Sequence, residues 1–177
     1  MLNTGNTIRP DKTFYYLDIA RATCARSTCL NKQWGAVIVK DDEIISTGYN
    51  GSPRGRKNCC DIGECYRIKN NIPRGTHYER CRSIHAEANA IISAARHDMM
   101  HGIMYIYGWD AVHNCIVPKP DSCMMCKRMI INAGITEVIF ADPEGFHFDN
   151  RYGYGYRSQH VQQWVEDDDM PVYGQGY

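Results

Sequence analysis

His85 is followed two positions later by Glu87, and further along the chain Cys123 and Cys126 stand three apart. One imidazole and two thiolates supply zinc with three of the four ligands of a tetrahedral site, and an open fourth position admits water. Zinc lowers the pKa of such a water toward ~7, which makes a nucleophile available near neutral pH. Glu87 lies too close to His85 to share the metal through the same turn, so it is expected to carry protons. A partly dry pocket raises a carboxylate's pKa and suits it to that work. Each half is weak alone: a Cys-x-x-Cys is often half of a structural zinc knuckle, and His-Ala-Glu is ordinary core or surface. Together they point to a hydrolytic zinc centre.

These groups must be positioned by secondary structure. The apolar residues Phe14, Leu17, Ala20, Ala22 and Ala25 predict a helix over 13–29. A buried strand over 34–40 turns at Asp41-Asp42 into an antiparallel partner over 43–48. Tyr49 to Gly55 reads as a loop, and 56–82 has no periodicity, so that stretch needs a staple such as a metal or close packing. Ile84, Ala88, Ile91, Ile92 and Ala95 predict a helix over 84–96 with one apolar face. A strand over 103–109 precedes a helix over 123–132, with Ser122 as its N-cap and Gly134 ending it. Cys123 and Cys126 then open one helix and His85 another, and the exposed N–H groups of a helix start favour thiolate. A strand over 136–141, a helix over 158–168 and a short edge strand at Pro171, Val172 and Tyr173 complete the order. The aromatic, Gly-rich run 144–157 reads as a mobile or ligand-capping loop, or a plain surface loop. The succession of helices and strands is that of a layered α/β domain over 1–177, with no repeat and no second domain.

Bulk properties fit this reading. The 177 residues, 44% hydrophobic and 23% charged with zero net charge, describe a globular chain without a general electrostatic grip on nucleic acid. No signal peptide and no membrane span are expected, which implies a cytoplasmic location. Nine cysteines in such a compartment read as metal ligands where they cluster, and as buried, inert thiols at Cys24 and Cys115.

Across 13–141, the His85-Ala86-Glu87 triad, the Gly35 to Val39 strand, the run Ser46-Thr47-Gly48-Tyr49-Asn50-Gly51 and Ile131 to Ile135 resemble the cytidine deaminase superfamily, and more closely its deoxycytidylate (dCMP) branch. Many members are bacteriophage-encoded, so the host cytoplasm is the setting if the chain is viral. The resemblance implies a three-layer α/β/α fold with a central five-stranded mixed sheet. It implies hydrolysis of dCMP to dUMP and ammonia, with His85, Cys123 and Cys126 holding zinc and Glu87 as the proton shuttle. Asn50 matches a substrate-side asparagine, and Arg26 and Ser27 are candidate phosphate contacts. Proline usually precedes the first ligand cysteine in this family. Here it stands back at Pro120, with Ser122 in its place.

The resemblance further implies a homo-oligomer, commonly a hexamer, activated by dCTP and inhibited by dTTP, with Mg²⁺ on the triphosphate. Gly48, Tyr49, Asn50, Gly51 and Arg54 are the candidate effector residues, since a Gly-rich turn exposes N–H groups to phosphate. Some relatives hold a second, structural zinc, for which Cys29, Cys59 and Cys81 with either Cys65 or His77 are the candidates. The alternatives are a deaminase of another cytosine nucleotide such as dCTP, or an inactive nucleotide-binding zinc protein.

Overall fold

The structure, a computed structural model, describes residues 9–73 and 75–167. Its centre is a mixed sheet of seven strands: β1 (Lys32–Lys40), β2 (Glu43–Tyr49), β3 (Ile103–Asp110), β4 (Cys115–Ile116), β5 (Glu137–Asp142), β6 (Phe146–Asp149) and β7 (Tyr154–His160). The order is β2-β1-β3-β5-β7-β6, with β4 paired to the end of β3. β3 and β5 are parallel, and the other described pairings are antiparallel. Two short strands, β4 and β6, account for the excess over the five expected. Asp41 and Asp42 make the β1–β2 turn with both φ positive, at 51° and 69°, as a tight hairpin requires.

Side chains alternate across a strand, and here both faces are apolar. Ala36, Ile38, Met104, Ile106, Val138 and Phe140 pack under α4 (Ala86–Ile92), α6 (Met124–Ala133) and α7 (Val161–Glu166). Val37, Val39, Tyr105, Tyr107, Ile139 and Ala141 pack against α1 (Lys12–Cys24). The result is three layers, α/β/α. Asp11 caps α1 by accepting from the Thr13 amide at 2.8 Å. The buried face of α1 is Phe14, Tyr16, Leu17, Ala20 and Cys24; Ala22 is exposed on the helix's outer face, and Ala25 is exposed because the helix stops at Cys24.

The run 144–157 is not a loop. It forms β6 and the start of β7, and Tyr152 stacks on Phe14 with ring centroids 4.6 Å apart. Tyr154 is buried in the same cluster. β7 continues to His160, so the last helix begins at Val161 rather than 158. The edge strand expected at Pro171, Val172 and Tyr173 lies outside the described residues.

α4 packs by its small residues. Ala86 and Ala90 face the sheet, whereas Ile92 is 70% exposed. The cause is Gly48, since a Cβ there would stand 2.3 Å from the Ala90 nitrogen and 2.4 Å from the Ala86 oxygen. With the helix backbone drawn onto the sheet, large side chains go to its flanks. The helix ends at Ile92, and a separate turn, α5 (Arg96–Met99), follows.

The aperiodic segment holds two short helices, α2 (Cys59–Ile62) and α3 (Tyr66–Lys69), and a 3-10 turn at Tyr78–Arg80. Buried Arg67 knots it together, donating to the carbonyls of Pro73 and Thr76 at 2.6 Å and of His77 at 3.0 Å. Its guanidinium lies 4.9 Å from the centre of the Tyr78 ring. No helix of the described residues is long and apolar enough to cross a membrane.

Candidate active site and metal centre

His85 is the N-cap of α4 and Cys123 the N-cap of α6, so two helix starts converge. Cys123, rather than Ser122, caps α6: its sulfur accepts from the Cys126 amide at 3.5 Å. Ser122 is turned away to another partner, described below. Cys126 falls one turn into α6, which brings both sulfurs to the same side. His85 Nδ1 is 3.3 Å from Cys123 Sγ and 3.4 Å from Cys126 Sγ, and the three ligand atoms lie within 4.8 Å of one another. A tetrahedral zinc with bonds of ~2.0 Å to nitrogen and ~2.3 Å to sulfur sets such atoms roughly 3.5 Å apart, so the three residues fit the ion.

The electrostatics suit a cation. The Cys123 thiol is pulled down to about 4, first by a hydrogen bond from the Cys126 thiol and then, against the cost of burial, by His85. Cys126 moves up in the same exchange, because one proton serves both sulfurs. A metal must displace that proton to take both thiolates. His85 is raised: burial opposes its charge, but the Cys123 hydrogen bond and the Glu87 carboxylate outweigh it.

Glu87 is buried, at 8% exposure, and burial pushes its carboxyl up. Its Oε1 accepts from the Ser122 hydroxyl at 3.0 Å. It lines a cavity of about 180 Å³ together with His85 and Cys123. Trp34, Ile106, Phe140 and Tyr78 form aromatic and apolar walls, and Tyr78 meets His85 edge-on at 4.9 Å. Lys32 and Arg67 are the cations on the lining; the Lys32 ammonium is 3.3 Å from Asp110.

Asn50, expected beside a ligand, lines the same cavity and is buried. Its side-chain oxygen accepts from the Trp34 amide at 2.7 Å and the Ser27 hydroxyl at 2.6 Å, and its nitrogen donates to the Lys32 carbonyl at 2.8 Å. An asparagine amide has two donors and two acceptor sites, so these bonds leave one N–H for the cavity. Ser27, read as a phosphate contact, is thus committed to Asn50. Arg26 is exposed and does not line the cavity.

The Gly48 to Gly51 turn does not present a row of open N–H groups. The Asn50 amide donates to Trp34 at 3.1 Å and the Gly51 amide to Ile84 at 3.2 Å. Gly48 serves helix packing, and Tyr49 and Arg54 are exposed. Among the other cysteines, burial pushes the Cys29 and Cys59 thiols up, and Cys65 and Cys81 lie near enough to add to it. His77 points elsewhere, with Nδ1 3.2 Å from Glu79. Among the described residues, the group with metal-ligand spacing is His85, Cys123 and Cys126. Cys24 is buried as expected, whereas Cys115 is exposed, because it sits on the marginal strand β4.

Two residues with contacts at the site escaped the sequence in that capacity. Ser122, bonded to Glu87, is one. The other is Asp142, fully buried at the end of β5, whose Oδ1 accepts from the amides of Lys119 at 3.3 Å and Glu144 at 3.0 Å. It fixes the run that leads into Ser122 and Cys123. The following Pro143-Glu144-Gly145 gives a turn signal, but nothing in it reveals a partner at Lys119.

A three-layer α/β/α fold that sets a His/Cys/Cys group beside a buried carboxylate has the makings of a zinc centre. Residues 10–142 match the family described as the cytidine and deoxycytidylate deaminase zinc-binding region, and the chain belongs to that family. It is 33% identical over 136 residues to the deoxycytidylate deaminase of Mycobacterium phage D29, covering 75% of this chain and 95% of that protein. It is also 33% identical over 135 residues to the deoxycytidylate deaminase of Schizosaccharomyces pombe, covering 76% of this chain but 38% of that protein. The crystal structure of cytidine deaminase from Burkholderia pseudomallei shares the fold at a TM-score of 0.53 and 15% identity, covering 87% and 96% of the two chains.

Proposed function

We propose that the protein deaminates dCMP hydrolytically to dUMP and ammonia, supplying dUMP for thymidylate synthesis. The observation that carries this reading is the buried Glu87 carboxylate on one cavity with His85 and Cys123. Zinc, held by His85, Cys123 and Cys126, supplies a Lewis acid that makes water nucleophilic near neutral pH. Glu87 takes one proton from the attacking water and passes it to the ring nitrogen; it then takes the second from the new hydroxyl and gives it to the amine, which leaves as ammonia while the carbonyl forms. Trp34, Ile106 and Phe140 keep bulk water from the ring. The remaining N–H of Asn50 orients the nucleotide. At about 180 Å³ the cavity is smaller than the ~300–1,000 Å³ of drug-sized sites, which suits one pyrimidine ring with the sugar phosphate outside. Lys32 on the lining and Arg26 after α1 are the cations available to the phosphate, since the Arg67 guanidinium is taken up by three carbonyls.

The test is the change in ultraviolet absorbance when purified zinc-loaded protein meets dCMP, with dCTP and deoxycytidine in parallel. Turnover of dCTP without dCMP would refute the monophosphate assignment. Turnover of none of the three would refute the function.

Two finer points belong to the same reading. A second, structural zinc would take Cys29, Cys59, Cys65 and Cys81, whose mutual proximity supports it better than a set with His77. Metal analysis should then give two zinc ions per chain, falling to one in Cys59→Ser. Control by dCTP and dTTP with Mg²⁺, in a hexamer, would rest on the exposed cations Arg54, Arg56 and Lys57 rather than on the engaged amides of the Gly48 to Gly51 turn. An activity series with each triphosphate, beside sizing by sedimentation, tests it.

A further inference from the structure

Ser122 and Glu87 are 35 positions apart in sequence, and both are buried, at 4% and 8% exposure. The serine hydroxyl donates to Glu87 Oε1 at 3.0 Å. A buried hydroxyl that reaches a buried carboxylate makes a charge-assisted bond, stronger than a neutral pair. Ser122 does not use its hydroxyl to cap α6, since the Cys123 sulfur does that. Its backbone is held by what precedes it: Asp142 accepts from the Lys119 amide at 3.3 Å, and Arg157 clamps the other Asp142 oxygen at 3.0 Å. Pro120, which follows Lys119 in the chain, is buried. The hydroxyl is therefore presented from a fixed run, and the carboxylate from the first turn of α4.

We infer that Ser122 is a positioning residue for the proton carrier: it anchors Oε1 of Glu87 and leaves Oε2 as the oxygen that exchanges protons over the cavity. A carboxylate on a short side chain has two interchangeable oxygens and free rotation about its last bond. A shuttle between water, a ring nitrogen and a leaving amine gains when one oxygen is pinned, since the other is then held toward the reacting atoms. The inference rests on the deaminase reading for its kinetic consequence, but the contact itself can be tested without substrate.

The experiment compares zinc-loaded wild type with Ser122→Ala and Ser122→Thr. Removal of one hydrogen bond to a charged group should lower kcat for dCMP about 10- to 100-fold. KM and zinc content should stay as in the wild type, and Ser122→Thr, which keeps the hydroxyl, should recover kcat to within about threefold of it. Isotope-edited infrared spectra with labelled glutamate, assigned by subtracting Glu87→Gln, should show the Glu87 carboxylate stretch shifting in Ser122→Ala and returning in Ser122→Thr. The inference is overturned if Ser122→Ala keeps wild-type kcat, if kcat falls only in step with lost zinc, if threonine fails to rescue, or if the stretch does not move. Should the wild type turn over no cytosine nucleotide, the functional reading fails, and the infrared comparison alone decides whether Ser122 anchors Glu87.

Discussion

Gly48 and Ala90 meet backbone to backbone: a Cβ on Gly48 would stand 2.3 Å from the Ala90 nitrogen. That approach sets the height of α4 over the sheet, and with it the position of His85 and Glu87. Gly48→Ala must push the helix away. Overpacking of this kind costs about 3 kcal/mol, or roughly 6–12 °C in melting temperature for a domain of this size. Activity should fall further than stability alone explains, which parallel calorimetry and assay at 20 °C below the midpoint would reveal.

Glu87 shares the cavity with His85 and Cys123 but stands outside the group with metal-ligand spacing. Glu87→Gln should retain zinc and lose turnover by about 10³-fold, within the usual range for acid–base groups. Metal analysis of the inactive protein decides the matter; zinc lost along with activity would make Glu87 a ligand.

Cys126 is buried behind Cys123 and completes the metal group. Cys126→Ser should bind zinc at least about tenfold more weakly, because hydroxyl oxygen replaces thiolate. Competition with a chromophoric chelator measures this directly, and the wild type stripped by the same chelator should melt at a lower temperature.

The positions of His85 and Cys123 were legible because a helix start converts linear spacing into a shared point, and N-cap chemistry is local. The partner of Ser122 was not legible, since it depends on how α4 and α6 sit across the sheet. Spacing likewise left Cys65 and His77 as alternatives beside Cys29, Cys59 and Cys81, because an aperiodic segment gives linear separation no fixed geometry. The face of α4 was misread because an apolar stripe presumes that large residues seek the core, and Gly48 reverses that. β6 was missed because Phe146-His147-Phe148-Asp149 alternates over only four residues beside Gly145 and Gly153, and its phenylalanines, exposed at 79% and 53%, anchor no core face.

Asp110 makes the stability of the protein sensitive to acid. Its side chain is 6% exposed, and burial would raise its pKa, but hydrogen bonds from the His113 ring and amide and from Lys32 bring it down to about 2 from 3.8. A depressed carboxylate stabilises the fold above its unfolded pKa, and that contribution fades as pH falls through the folded value. Between about pH 4 and 2 the wild type should lose roughly 1–2 kcal/mol from this group, and Asp110→Asn should show a flatter acid limb in urea titrations.

Arg67 ties three carbonyls of the insertion. Arg67→Met leaves them without their donor inside the protein, at a cost of roughly 2–4 kcal/mol. Limited proteolysis should then cut within 66–80 well before the sheet is attacked. Cleavage no faster than in the wild type would mean the segment is held by other contacts.

The zinc ligands lie on either side of β3 in the chain, His85 before it and Cys123 after it, 38 positions apart. An ion bridging them is a cross-link around the central strand. Closing a loop of that length removes roughly 3 kcal/mol of chain entropy from the unfolded ensemble, by the logarithmic dependence of closure on length. A metal bound there would therefore also act as a clasp on topology: the segment that carries β3 stays closed into a loop until the ion is released.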